Sequence, residues 1–297
     1  MILDGSPDEV LVGLEDLPPL RDVLAAAGIH ADKRLGQHFL LDLNICRKIV
    51  RMAGPIADGH VIEVGPGPGG LTRALLEVGA NVTVIEMDPR FLPLLEDLKV
   101  ASAGRLRILR GDALAVDMAP TALGVDETTP MHLVSNLPYN VGTPLLIKWL
   151  TGRFRPASMT LMFQKEVARR IVAAHGSEHY GRLAVISQAL CETKIVMDLP
   201  ARAFTPPPKV ESAVVALTPL RDSPSDDRIS ALQIITQNAF GQRRKMLRSS
   251  LRYQGGADLC ASAGINPDVR AETVPVSGFL ALADRWIAMK GADTFGS

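Results

Sequence analysis

Asn136-Leu137-Pro138-Tyr139 is the stretch whose residue types point most directly to chemistry. An amino group attached to an aromatic base is a poor nucleophile, because its lone pair is delocalised into the ring. Two acceptors placed on its hydrogens draw it toward a tetrahedral shape. The Asn136 side-chain oxygen and the Leu137 carbonyl are acceptors of this kind, and Pro138 restricts the turn that presents them. Tyr139 adds a ring face on which a base can stack, worth about 1 to 3 kcal/mol in single-strand binders. A neutral amide cannot serve as a base, so catalysis here must come from orientation, which can contribute about 7 to 11 kcal/mol. Aromatic residues make up only 4% of the chain, so Phe204, also in a loop beside an expected strand, stands out as a second base clamp.

A group that receives such an amine must lie close by, and the glycine turn of Val61 to Thr72 is the place for it. Val-Ile-Glu-Val runs into Gly65-Pro66-Gly67-Pro68-Gly69-Gly70, after which Leu71 to Leu76 takes up helical spacing. This is a strand, a tight turn and a helix. Gly65-x-Gly67-x-x-Gly70 also satisfies the dinucleotide fingerprint. A pyrophosphate is held there by backbone N–H groups, however, and Pro66 and Pro68 have none to give. Glu63, just before the turn, would repel an anionic cofactor and tolerate a cationic one. S-adenosylmethionine, with its sulfonium and ammonium groups, fits better than NAD. Glu86, 21 residues beyond Gly65, is positioned to accept from ribose hydroxyls, and Asp112 in Gly111-Asp112-Ala113 to accept from an adenine amino group.

The elements that must position these residues alternate. Strands are expected at Val82 to Glu86, Leu106 to Leu109 and His132 to Ser135, with helices after the glycine turn and around Phe91 to Val100. Such alternation makes a parallel sheet covered on both faces, with ligands beyond the carboxyl ends of its strands. Ser158 to Gln164 reads as a further strand, Leu183 to Leu190 as a buried helix or strand, and Ala213 to Leu217 as the last strand, after the stiff loop from Phe204 to Val210. Arg221 to Asp227 is the clearest linker, and everything beyond it reads as helix. The division is therefore a catalytic domain over 1–220, with residues 1–30 as an extension, and a helical domain over 228–297.

With 297 residues and 47% hydrophobic content the chain can bury a substantial core. No apolar run is long enough to span a bilayer, and five acids precede the first base, Arg21, so neither membrane nor secretory targeting is expected. Cys46, Cys191 and Cys260 are far apart and no metal-ligand spacing occurs, so we expect no metal and a cytoplasmic protein. Net charge is zero, but its distribution is uneven. Lys148, Arg153, Arg155, Lys165, Arg169 and Arg170 face one acid, Glu166, while Arg243, Arg244, Lys245, Arg248 and Arg252 face none. Either run reads as a phosphate-binding face or as an ordinary solvated one.

Taken in order, Leu35-Gly36-Gln37-His38-Phe39-Leu40, Glu63 to Gly69, Glu86, Gly111-Asp112-Ala113, Asn136 to Tyr139, Gln164 to Val167, Tyr180 to Leu183, Phe204 to Val210, and Asn238-Ala239-Phe240 with Arg243-Arg244-Lys245 resemble the small-subunit ribosomal RNA adenine N6-dimethyltransferases. The resemblance covers residue 33 to the end, and residues 1–18 have no counterpart in it. It implies a class I methyltransferase fold, a Rossmann-like α/β sheet of seven strands with the last antiparallel, plus a small all-helical C-terminal domain. It also implies transfer of four methyl groups to two adjacent adenosines in a hairpin near the 3′ end of small-subunit ribosomal RNA, within a pre-ribosomal particle, by a monomer. S-adenosylmethionine would contact His38, Leu40, Gly65, Glu86, Asp112 and Asn136; Asn136, Leu137, Pro138, Tyr139 and Phe204 would serve the target base; Arg243, Arg244, Lys245 and Arg248 would contact RNA. The family often carries Asn where this chain has His38. Large-subunit adenine methyltransferases look similar in the core, although Leu137 and the run Pro206-Pro207-Pro208 lean to the small-subunit group. A non-catalytic assembly factor on the same fold is the alternative of a different class.

Overall fold

The computed structural model describes residues 13–32, 36–242 and 244–294. In chain order the elements are α1 (Leu20–Ala26), β1 (Phe39–Leu40), α2 (Leu43–Met52), β2 (His60–Val64), α3 (Gly70–Glu77), β3 (Asn81–Glu86), α4 (Leu92–Ala101), β4 (Leu106–Arg110), β5 (Met131–Asn136) and α5 (Gly142–Thr151). They continue with β6 (Ser158–Gln164), α6 (Lys165–Ile171), α7 (Arg182–Leu190), β7 (Cys191–Leu199), β8 (Phe204–Thr205), β9 (Ser212–Pro219), α8 (Asp226–Gly241), α9 (Leu247–Ser250), α10 (Gly256–Ser262) and α11 (Val276–Thr294).

Seven strands form one sheet in the order β4-β3-β2-β5-β6-β9-β7. Every pair from β4 to β6 is parallel, and β9 runs antiparallel to both of its neighbours. The expected reversal of the last strand is therefore present. β2, β3 and β5 are buried on both faces, which is why they read as near-continuous apolar runs. The direction of winding changes between β2 and β5, whose carboxyl ends lie side by side and are tied by the Ser135 hydroxyl donating to the Val64 carbonyl at 2.7 Å. A crevice at this switch point is where such a sheet takes its ligand.

Leu183 to Leu190, ambiguous from its sequence, is helical (α7), and the edge strand β7 that follows was not legible beforehand. Its alternation is broken by an irregularity between Ile195 and Met197, and an edge strand with one wet face carries a weak apolar signal. α5 and α6 were likewise not expected as helices. A separate antiparallel ribbon joins β1 to β8, pairing Phe39 with Thr205 and Leu40 with Phe204. The N-terminal segment also has a packing role, since Leu20 and Leu24 of α1 are buried and Arg73 of α3 donates to the Pro18 carbonyl.

Helices α8 and α11 pack against α7, and α8 also against α5; α9 and α10 pack on α8 and α11, and the four helices share one apolar cluster with that side of the sheet. Phe240 and Phe279 meet at a ring distance of 5.4 Å, and the Tyr180 hydroxyl donates to the Val274 carbonyl at 2.9 Å, so the helical part is anchored to the segment before α7.

Candidate active site

A cavity opens at the switch point, lined by residues from the ends of β2, β3 and β5, the 111–113 turn and the 36–40 segment. His38, Leu40, Gly65, Glu86, Asp112, Asn136, Leu137, Pro138 and Tyr139 all border it, so sequence positions a hundred residues apart converge as expected. Phe204 does not. It is 2% exposed, pairs with Leu40 and belongs to the apolar cluster that includes Val61, Leu71 and Val82. An aromatic in a proline-rich loop looks exposed from the sequence, while its two-residue strand buries it here. Arg243 and Leu35 lie outside the described residues.

Gly65, Gly67 and Gly69 have φ of 67°, 54° and 86°, a left-handed backbone that L side chains rarely adopt. A Cβ on Gly65 would lie 3.2 Å from the Pro138 ring, so glycine also lets the β2 and β5 loops approach each other. Gly70 is tighter still, with the Leu40 carbonyl oxygen 2.5 Å from where its Cβ would be.

Glu86 ends β3 with its side chain buried. One carboxylate oxygen accepts from Gly67 N–H at 3.1 Å and the other from Asp88 N–H at 2.7 Å. Each oxygen keeps a second lone pair, so the group can still accept two hydroxyls. Burial raises its pKa, and the backbone donors of Asp88 and Gly67 oppose that shift. Beside it, Asp88 accepts from Gln37 at 2.8 Å and from Arg90 in an ion pair, which lowers its pKa to about 2. Gln37 and Asp88 were not singled out from the sequence as site residues; Glu-x-Asp after an apolar strand, followed by Pro89, was the available signal. Asp112 is exposed and accepts from Leu114 N–H at 2.9 Å, a local turn that holds its carboxylate at the rim.

Glu63 borders the cavity but is 1% exposed and accepts from the Thr72 hydroxyl at 2.6 Å, linking β2 to α3. Burial, above all, raises its pKa to about 8, the Thr72 bond opposing and the Glu86 charge adding to the shift. The folded chain therefore holds a proton on Glu63 between about 4.5 and about 8 that the unfolded chain does not. Stability supplied by the neutral carboxyl is complete below that window and falls as pH rises through it, at up to about 1.4 kcal/mol per pH unit for one proton. Denaturant unfolding across the window should show a downward slope that Glu63→Gln flattens; parallel curves would refute the assignment.

On the facing wall, Asn136 donates its amide N–H to the His38 carbonyl at 3.4 Å, which leaves its side-chain oxygen free to accept. Among the described residues no donor meets the Leu137 carbonyl, whereas the Pro138 carbonyl is taken by Val141 and Gly142 N–H. His38 donates from Nδ1 to the Pro206 carbonyl at 2.8 Å, since a carbonyl can only accept, and its ring lies 5.4 Å from that of Tyr139. Tyr139 is half-buried, with its hydroxyl 2.6 Å from Ser212 Oγ.

The two basic runs behave differently. Lys148 donates to the carbonyls of Ala113, Leu114 and Val116 at 3.1, 2.7 and 3.0 Å, pinning the loop behind Asp112. Lys165 pairs with Glu211 and Asp198, Arg155 with Asp226, and Arg170 with Glu166, so most of this run is engaged within the protein. Arg244 and Lys245 are exposed, and among the described residues neither has an ion-pair partner; Arg248 is exposed and pairs with Asp268 at 3.0 Å.

A seven-stranded sheet of this order with one reversed strand, a glycine turn at its switch point and an acid at the end of the next strand defines a class I methyltransferase. Residues 28–287 match the family model described as ribosomal RNA adenine dimethylase, and the chain belongs to that family. It is 62% identical, over 95% of its length and 97% of the relative's, to the ribosomal RNA small subunit methyltransferase A of Phenylobacterium zucineum. Against the protein of the same name from Caulobacter vibrioides the identity is 63%, over 85% and 96% of the two chains. Among solved structures it is similar to a dimethyladenosine transferase from Plasmodium falciparum, with a TM-score of 0.68, 24% identity and coverage of 82% and 96%. The 23S rRNA methyltransferase ErmE matches with a TM-score of 0.61 and 25% identity, over 84% and 99%.

Proposed function

We propose that this chain dimethylates the N6 amino groups of two adjacent adenosines in a hairpin near the 3′ end of small-subunit ribosomal RNA, using S-adenosylmethionine. The observation that carries the reading is the Asn136 amide at the cavity, its N–H donated to the His38 carbonyl and its oxygen left to accept, with the Tyr139 ring and the Leu137 carbonyl, which meets no donor among the described residues, beside it.

The residues present fit the donor. A backbone free of Cβ atoms at Gly65 and Gly67 lets a flat ligand lie directly on the turn, and the Glu86 carboxylate retains two acceptor positions for ribose hydroxyls. Asp112 offers an acceptor for the adenine amino group, and His38 and Leu40 line the same cavity. When bound, the donor supplies an electrophilic methyl group on a sulfonium. The chain's own part is to hold the target amine. Asn136 Oδ1 and the Leu137 carbonyl accept its hydrogens and draw the nitrogen lone pair out of conjugation. Tyr139 holds the base by its face. No side chain here needs to remove a proton before the nitrogen attacks, because orientation is the main source of rate.

Arg244, Lys245 and Arg248, together with Arg243, are the proposed phosphate contacts, in a helical C-terminal domain of residues 228–297 following the catalytic domain of residues 1–220. A small-subunit target is favoured over a large-subunit one by the closer relatives, and a pre-ribosomal particle is the proposed substrate form. Incubating the purified chain with donor and unmethylated small-subunit particles, then mapping methylated adenosines by mass, tests the reaction. Two dimethylated neighbours near the 3′ end are expected; methylation of large-subunit RNA, or tight particle binding without methylation, would overturn it.

Phosphate contacts release counterions, so particle affinity should fall with salt by about 0.7 to 0.9 in log–log slope per phosphate neutralised. Changing Arg244, Lys245 and Arg248 to Ala should flatten that slope by roughly 2 to 3. A titration in which the slope is unchanged would return the cluster to a solvated surface.

A further inference from the structure

Ser212 is the first residue of β9 and pairs across the sheet with Gln164, the last residue of β6. A parallel strand would bring its last residue to this end of the sheet, so the reversal of β9 is what delivers Ser212 to the level of the Asn136 loop. Its side chain is fully buried and does not line the cavity. Its Oγ is 2.6 Å from the Tyr139 hydroxyl, and this is the one side-chain hydrogen bond that Ser212 makes among the described residues. Six residues earlier, Pro206 holds the second ring at the cavity, His38, through its carbonyl. The segment from Pro206 to Ser212 thus reaches both rings from behind without touching the space between the loops.

We propose that Ser212 is a positioning residue for base stacking: its hydroxyl fixes where the Tyr139 ring stands, against which the target base is held in front of Asn136. The inference rests on the reading that Tyr139 receives the base. A phenol ring attached only at its Cβ can swing about χ1, while one whose distal oxygen is bonded to a buried partner on a neighbouring strand is held in direction, rotation about its own long axis leaving that oxygen in place. The tie acts on the base and leaves the donor alone, since Gly65, Glu86 and Asp112 lie on other elements.

The test is a double-mutant cycle on methyl transfer to small-subunit particles, using Ser212→Ala, Tyr139→Phe and the pair. Each single change should lower kcat roughly five-fold, as expected for one net hydrogen bond, with the KM for donor unchanged. The double variant should be no slower than the slower single one, because both changes break the same bond. Thermal melting of the same variants separates a structural effect: each single change strands a buried hydroxyl, whereas the double removes both and should regain stability. If Ser212→Ala does not fold, Ser212→Cys keeps the size with a weaker hydrogen-bonding group, and its loss of kcat should vanish in a Tyr139→Phe background. Wild-type kcat in Ser212→Ala with a lowered melting temperature, or losses that multiply in the double variant, would overturn the proposal. Absence of methyl transfer by the unaltered chain would instead overturn the proposed reaction itself, together with the role given to Ser212.

Discussion

Asn136→Ala should reduce methyl transfer by roughly 10²- to 10³-fold, the cost typical of removing one preorganised hydrogen-bonding group from a reacting centre. Particle binding should survive, because the exposed bases of the helical part and the Tyr139 ring are untouched. The variant also leaves the His38 carbonyl without its donor at 3.4 Å, a long bond whose loss should cost little stability. Tyr139→Ala should impair the same step through lost stacking, with Tyr139→Phe much milder because the ring face is kept. Single-turnover methyl incorporation at saturating donor, run beside particle binding, is the measurement. A wild-type rate in Asn136→Ala would remove the proposed mechanism, since of the other side-chain amides at the cavity among the described residues Gln37 is bonded to Asp88 and Asn140 is exposed.

Glu86→Ala should weaken donor binding by about 3 kcal/mol, roughly 100-fold in Kd. Two effects combine in that figure. The carboxylate's remaining lone pairs are lost to the ligand, and Gly67 and Asp88 N–H lose the acceptor that holds the glycine turn to the end of β3. Glu86→Gln separates them, because the amide can still accept one backbone hydrogen bond while offering less to the ribose. Calorimetry with S-adenosylmethionine should therefore rank wild type above Glu86→Gln above Glu86→Ala, and NAD should not compete. Tight binding of the nicotinamide dinucleotide, with none of the methyl donor, would return the glycine turn to its dinucleotide reading.

What was legible beforehand was local or periodic. Gly65, Gly67 and Gly69 announce a left-handed turn because no other residue takes that backbone at little cost, and Pro66 and Pro68 argue against a phosphate by lacking N–H groups. Doubly buried strands announce themselves as apolar runs, so β2, β3, β5 and β6 were in place and with them the carboxyl-end residues Gly65, Glu86 and Asn136. The tertiary structure decided which groups meet. Glu63 reads as a charged acid at the mouth of a pocket until Thr72 and the core around it keep its carboxyl protonated. Phe204 reads as an exposed aromatic until its pairing with Leu40 turns it inward, and Lys148 as a free cation until three carbonyls of a loop some 35 residues away surround it. Ser212 had no signal at all, being a small polar residue at the start of a strand, 73 positions from the tyrosine it holds. A residue's type and spacing set its own backbone preferences, but burial, ionisation and partnership depend on which distant segment packs against it. That choice is made by the order and direction of the strands, and here by the reversal of β9 above all.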